Sequence, residues 1–94
     1  MILQVTNSDG CSLRVGDQIY YDRDSSKKLY YIMKFEPYLH KDPKTGKQTQ
    51  NYRIDCLDND ANVKVIGTIE HVVKTGKRSG TLLRLVRELH EEKN

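Results

Sequence analysis

With 94 residues the chain supports one domain, and a domain this short buries only about 60 to 65% of the surface that its unfolded form exposes. Hydrophobic residues make up 36% of the sequence, against an average of about 45–50%, which excludes a large core and favours a small barrel or a subunit that buries more surface by pairing with copies of itself. Sixteen basic and thirteen acidic side chains leave a net charge of +3, which permits a polyanionic partner without requiring one.

Strand signals dominate the chain, because apolar and aromatic residues alternate with a period of two between turn clusters. Ile2 to Thr6 reads as a first strand, ended by Asn7-Ser8-Asp9-Gly10, and Gln18 to Asp22 as a second. Lys28 to Leu39 is the clearest segment. Leu29, Tyr31, Met33 and Phe35 share one face and Tyr30, Ile32, Lys34 and Glu36 the other, which places Tyr31 in the core. The segment is about twice the usual strand length, and Pro37 cannot donate to a ladder, so a bend, bulge or exposed edge is expected near Glu36-Pro37.

Lys41-Asp42-Pro43-Lys44-Thr45-Gly46-Lys47 carries the residues of a hairpin loop. The return strand, Gln50 to Asp58, alternates Tyr52, Ile54 and Cys56 against Arg53 and Asp55. Asp58-Asn59-Asp60-Ala61-Asn62 makes the next turn, and Val63 to Val73 the third strand of a meander. Residues 74–80 read as a basic linker. Over 81–92, Leu82, Leu85, Val86 and Leu89 lie at helical spacing, with a final strand as the alternative. The glutamates at the end of this segment oppose the helix dipole. The expected fold is thus mainly β, within one domain spanning 1–94. A small barrel or strongly bent antiparallel meander of about five strands occupies about 1–73, and a C-terminal helix is expected to follow.

Leu13-Arg14-Val15-Gly16-Asp17-Gln18-Ile19-Tyr20, followed by a long strand and a meander, resembles the opening of SH3-like small barrels of the KOW and Tudor type. The resemblance covers residues 13 to 73 in outline. It implies that a Gly-Asp turn feeds the first long strand and that five short strands close a barrel, and it adds modest weight to nucleic-acid or peptide binding. The chain departs from the KOW pattern at Asp22-Arg23-Asp24-Ser25-Ser26, where a second glycine is expected.

No segment predicts catalysis, so the chain reads as a binding protein and not an enzyme. Asp58, Asp60 and Asn62 have the one-three-five spacing of a calcium loop. Val63 and Ile69 stand where that loop needs glycine and glutamate, which makes a hairpin turn the better reading. His40, His71 and His90 are isolated, so neither a metal nor another cofactor is expected. Cys11 and Cys56 stand far apart without a Cys-x-x-Cys partner, and Met1-Ile2-Leu3-Gln4 lacks a basic region followed by a long apolar run. Free thiols, a cytoplasmic location and no membrane association are therefore expected. Gly76-Lys77-Arg78-Ser79-Gly80-Thr81 lacks phosphate-loop spacing and reads as a linker or an anion site.

The adjacent pairs Tyr20-Tyr21 and Tyr30-Tyr31 each send one ring away from the core if both lie in strands. Interleaved tyrosine and basic residues point to a nucleic-acid-binding accessory module. In it Tyr30 and Tyr38 stack on bases, and Lys34, Lys41, Lys44, Lys47 and Arg53 neutralise phosphates, with Lys77 and Arg78 as a further anion site. The alternative is a small inhibitor or sequestering protein, of mobile-element or phage-like type, which blocks a protein partner or captures an anionic nucleotide as a homo-oligomer.

Overall fold

The computed structural model describes residues 2–81. Seven strands form two antiparallel sheets. β1 (Gln4–Thr6) and β2 (Ser12–Arg14) make a hairpin with Val5 opposite Leu13. β3 (Asp17–Tyr21), β4 (Leu29–Lys41), β5 (Gln48–Leu57), β6 (Val63–Ile66) and β7 (Val72–Arg78) form a five-stranded sheet in the order β6-β5-β4-β3-β7. The chain is mainly β, as expected. The sheet is open, however, with β6 and β7 as its edges among the described residues, and it does not close into a barrel. The element expected over 81–92 lies, apart from its first residue, outside the described residues.

One extra residue in β4 decides which side chains face inward. The ladder pairs Ile32 with Cys56 and then Lys34 with Asp55, so Met33 has no partner of its own. Such a bulge moves every later side chain to the opposite face of an unbroken alternation. Tyr30 and Ile32 are therefore buried before it and Phe35 after it, all in one core, while Tyr31 and Met33 are half-buried. This corrects the expected Leu29-Tyr31-Met33-Phe35 face. The alternation is genuine on both sides of Met33 but belongs to different faces. The irregularity also lies four residues before Pro37, where the ladder continues unbroken through Pro37 opposite Tyr52.

The core gathers Ile19, Tyr30, Ile32, Phe35, Ile54 and Cys56 from the large sheet, and Val5 and Leu13 from the hairpin. The hairpin turn is fastened to the β6–β7 connection. Asn7 Nδ2 donates to the Ile69 carbonyl at 3.2 Å, and the Ser8 amide and hydroxyl both donate to Glu70. Among the described residues every buried side-chain nitrogen and oxygen has a partner, as a thin core requires.

The segment expected as one strand over Val63 to Val73 is broken after Ile66. His71 takes a left-handed φ of 62°, and its carbonyl accepts the Asp22 amide at 2.8 Å. What reads as a basic linker from residue 74 is strand through Arg78. Its residues lack apolar alternation, and polar bonds to β3 hold it instead. Thr75 Oγ1 donates to Gln18 Oε1 at 2.7 Å, Arg78 Nε lies 3.0 Å from Asp17 Oδ1, and Arg78 also donates to the Val15 carbonyl at 3.0 Å. Asp17 is buried and also accepts the Arg14 amide at 2.9 Å. Gly16, at a φ of 92°, turns the chain into β3; its amide donates to Ile32 and its carbonyl accepts from Ser79, both at 2.8 Å.

The β5–β6 turn is organised by Asp58. One carboxylate oxygen accepts the amides of Asp60 and Asn62, each at 2.9 Å, and the other lies 3.2 Å from Lys28 Nζ. Both oxygens of the first residue in the calcium-like spacing are thus engaged by the turn and by Lys28.

Two outcomes follow from this packing. Ile32→Ala is expected to cost about 2–5 kcal/mol, as for a fully buried aliphatic residue, and Tyr31→Ala clearly less, both measured by urea denaturation. The reverse ranking would place the bulge elsewhere. The Asn62 amide, and after it the Lys28 ammonium, hold the Asp58 carboxyl below its ordinary value of 3.8. The unfolded chain therefore takes up this proton first. The stabilisation is complete above the ordinary value and is lost as the pH falls below it toward the depressed one. Asp58→Asn is expected to flatten the loss of urea resistance between neutral pH and about pH 3, and an unchanged loss would contradict it.

Candidate nucleic-acid interface

The last fully buried β4–β5 pair is Phe35 with Ile54, and Tyr52, opposite Pro37, still packs against the core. Beyond Phe35 and Ile54 the two strands continue for six further pairs, Glu36–Arg53 to Lys41–Gln48, a ribbon about 20 Å long at the usual strand rise. Among the described residues nothing packs on most of it: Leu39 is 68% exposed, and every residue from Pro43 to Gln50 is exposed. The tip is held by its own backbone. The Asp42 amide donates to the Lys47 carbonyl at 2.9 Å and the Gly46 amide to the Asp42 carbonyl at 2.8 Å, with Gly46 at a φ of 71°. Asp42 Oδ1 accepts the Lys44 amide at 2.8 Å, so the carboxylate at the tip serves the loop.

Charge is distributed unevenly along the chain. The ribbon from Glu36 to Arg53 carries Lys41, Lys44, Lys47 and Arg53 against Glu36 and Asp42, a net +2 out of the chain's +3. Taking these four from sixteen basic and these two from thirteen acidic side chains leaves twelve and eleven, so the charges elsewhere nearly cancel. The basic groups occupy both faces and the tip. Ladder parity puts Arg53 on the face away from the core and Lys41 on the other, with Lys44 and Lys47 in the connecting loop.

The root of the arm is fixed by Tyr38. Its hydroxyl donates to the Gly67 carbonyl at 2.7 Å, and the Arg53 guanidinium lies over its ring, 5.8 Å from the centroid. This bond anchors the arm to the end of β6, and the cation–π contact directs Arg53. Lys34 sits on the same face, 3.8 Å from Glu36 and opposite Asp55, so carboxylates offset its charge locally.

The expected site residues therefore divide. Tyr38, Lys41, Lys44, Lys47 and Arg53 are brought onto one projecting ribbon. Lys34 lies at its base. Tyr30 does not belong with them: it is 6% exposed, because the bulge leaves it on the core side. Lys77 and Arg78 lie on β7, separated from β4 by β3, and Arg78 is committed to Asp17 and Val15. Gln48, Thr49 and Gln50 were missed by sequence reasoning; they are exposed donor–acceptor side chains on the same ribbon. Their signal was an unbroken polar run within a strand next to a basic loop.

Cys56 is buried, and loss of solvent pushes its thiol up to about 12, so it is not available as a nucleophile near neutral pH. No group of three or more His, Cys, Asp and Glu is gathered for a metal among the described residues. Nor, among these residues, is any helix long and apolar enough to cross a membrane. Comparison with protein-family models, with curated proteins and with solved structures finds no match to the chain.

Alkylation with iodoacetamide at neutral pH is expected to label Cys11, which is partly exposed, and to spare Cys56 until denaturant is added. Equal labelling of both thiols in the native protein would contradict the burial of Cys56.

Proposed function

We propose that the chain is a non-catalytic nucleic-acid-binding module that inserts the β4–β5 arm into a groove of a duplex. The observation that carries this reading is the concentration of +2 of the chain's net charge of +3 on a ribbon that contributes little to the core. A charged loop kept only for solubility has no need of a two-stranded support about 20 Å long.

The distribution of charge on the arm favours a groove over a flat platform. The major groove of B-form DNA admits a two-stranded ribbon and has phosphates on both walls. Lysines at the tip and basic groups on both faces suit that surrounding. Stacked single-stranded bases would need rings presented on one surface, and Tyr30 is inside the core while Tyr38 is held between Arg53 and Gly67. Gln48 and Gln50 supply the amide groups that pair with base edges in a groove. The resemblance of Leu13–Tyr20 to SH3-like modules is part of this reading. Val15-Gly16-Asp17 does lead into the first strand of a five-stranded sheet, an arrangement compatible with that resemblance.

The test is fluorescence anisotropy with a labelled duplex at several salt concentrations. Three or four phosphate contacts give a slope of about −3 in log affinity against log salt. Lys44→Gln with Lys47→Gln is expected to flatten it by about 1.8, with the melting temperature nearly unchanged because exposed charges contribute little to stability. An unlabelled single strand of the same length should compete more weakly than the duplex. No binding tighter than about 0.1 mM at low salt would overturn the reading in favour of the inhibitor or sequestering protein.

A further inference from the structure

The edge strand β6 carries features that the arm does not explain. β6 pairs with β5 on one side and with no other strand among the described residues, which leaves a row of backbone donors and acceptors facing outward. Val63 and Val65 on this edge are 63% and 52% exposed, and they account for two of the four large apolar side chains exposed among the described residues. Proteins usually blunt such an edge with shortness, charge, proline or a covering segment. Here the protection is a length of four residues and the single Lys64, which leaves both valines uncovered.

The inner side of the same strand borders a cleft of about 470 Å³, within the size range of ligand sites. Lys64, Ile66 and Thr68 line one wall, and Tyr21, Asp24 and Tyr30 at the β3–β4 corner line the other. The cleft thus lies between the β6 edge and the β3–β4 corner. Asp24 Oδ1 accepts both the amide and the hydroxyl of Ser26, at 3.0 and 2.9 Å, and its carboxylate attracts Lys64 across the cleft without closing an ion pair.

We infer that β6 receives an extended peptide segment of a partner protein, added as an antiparallel sixth strand, with alternate side chains entering the cleft. Of possible partners, an extended backbone matches the spacing of the edge amides and carbonyls and replaces their water, which sets the chemical class of the occupant. Parity sets its side chains. Residues opposite Val63 and Val65 lie on the outer face and are apolar. The residue opposite Lys64 is acidic, and the one opposite Ile66 is apolar and fills the cleft beside Tyr21 and Tyr30.

A second copy of β6 suits the edge poorly. Pairing centred on Lys64 sets two like charges directly opposite each other, and pairing centred on Val65 leaves a single valine pair, with Val63 facing Gly67. The peptide site does not depend on the arm's proposed role.

The test uses the full chain, isotopically labelled, and a fluorescein-labelled synthetic octapeptide with the core Leu-Val-Glu-Val flanked by serine and glycine. Saturable binding with amide shift changes centred on Val63 to Ile66 is expected. The peptide with lysine in place of glutamate should bind about fivefold more weakly. Lys64→Glu, at an exposed position, should reverse that preference, a result that general loosening of the fold does not produce. The Lys44→Gln, Lys47→Gln protein should bind the peptide as the unaltered chain does. Absence of shifts at β6, or equal affinity for the two peptides in both proteins, would overturn the inference. So would a dimer in sedimentation that Val65→Lys dissolves, since a second copy would then hold the edge.

Discussion

The single unpaired residue at Met33 sets the face of everything that follows it in β4. Without it, Phe35 would turn outward if Ile32 stayed in, and the strand would present two half-cores on opposite sides. With it, Tyr30, Ile32 and Phe35 all meet Ile54 and Cys56, and the apolar content available is enough for one layer. The same shift puts Tyr38 and Arg53 together on the outer face, where the tyrosine hydroxyl reaches Gly67. The core and the root of the arm are thus two consequences of one insertion.

The charges divide into those used within the fold and those left exposed on the arm. Asp17 is buried and is met by Arg78, Arg14 and a backbone amide, an arrangement that clamps β7 onto β3 where hydrophobic pairing runs out. Asp58 orders a turn and binds Lys28. By contrast, Lys44 and Lys47 lie on a loop whose carboxylate is occupied by backbone, beyond the last core contact. A field that depends on a few residues at the end of a ribbon steers an anionic partner to that end.

Much of this was legible in the sequence where local chemistry decides. The hairpin tip follows from Asp42, Pro43 and Gly46, the inward side chains of β5 from Ile54 and Cys56, and the Asp58 turn from the missing glycine and glutamate of a calcium loop. The register of β4 was not legible, because a bulge leaves the alternation intact on either side and only the partner strand reveals the extra residue. β7 reads as a linker since Lys74 to Arg78 has no apolar period, and its partners Gln18 and Asp17 lie about sixty residues away. β2 is three residues long, too short for its pattern to stand out. Tyr30 was assigned outward by the same register error, whereas Tyr38 and Arg53 were assigned from composition and came together through the ladder.

The central claim is that the arm, and not the sheet as a whole, meets nucleic acid. The most direct measurement is an amide chemical-shift titration of the labelled chain with a short DNA duplex at low salt. The account predicts changes confined to Tyr38 through Arg53 and largest at Lys41 to Gln50, with β3 and β7 undisturbed. Changes centred on Lys77 and Arg78, or spread evenly over the exposed lysines, would contradict it.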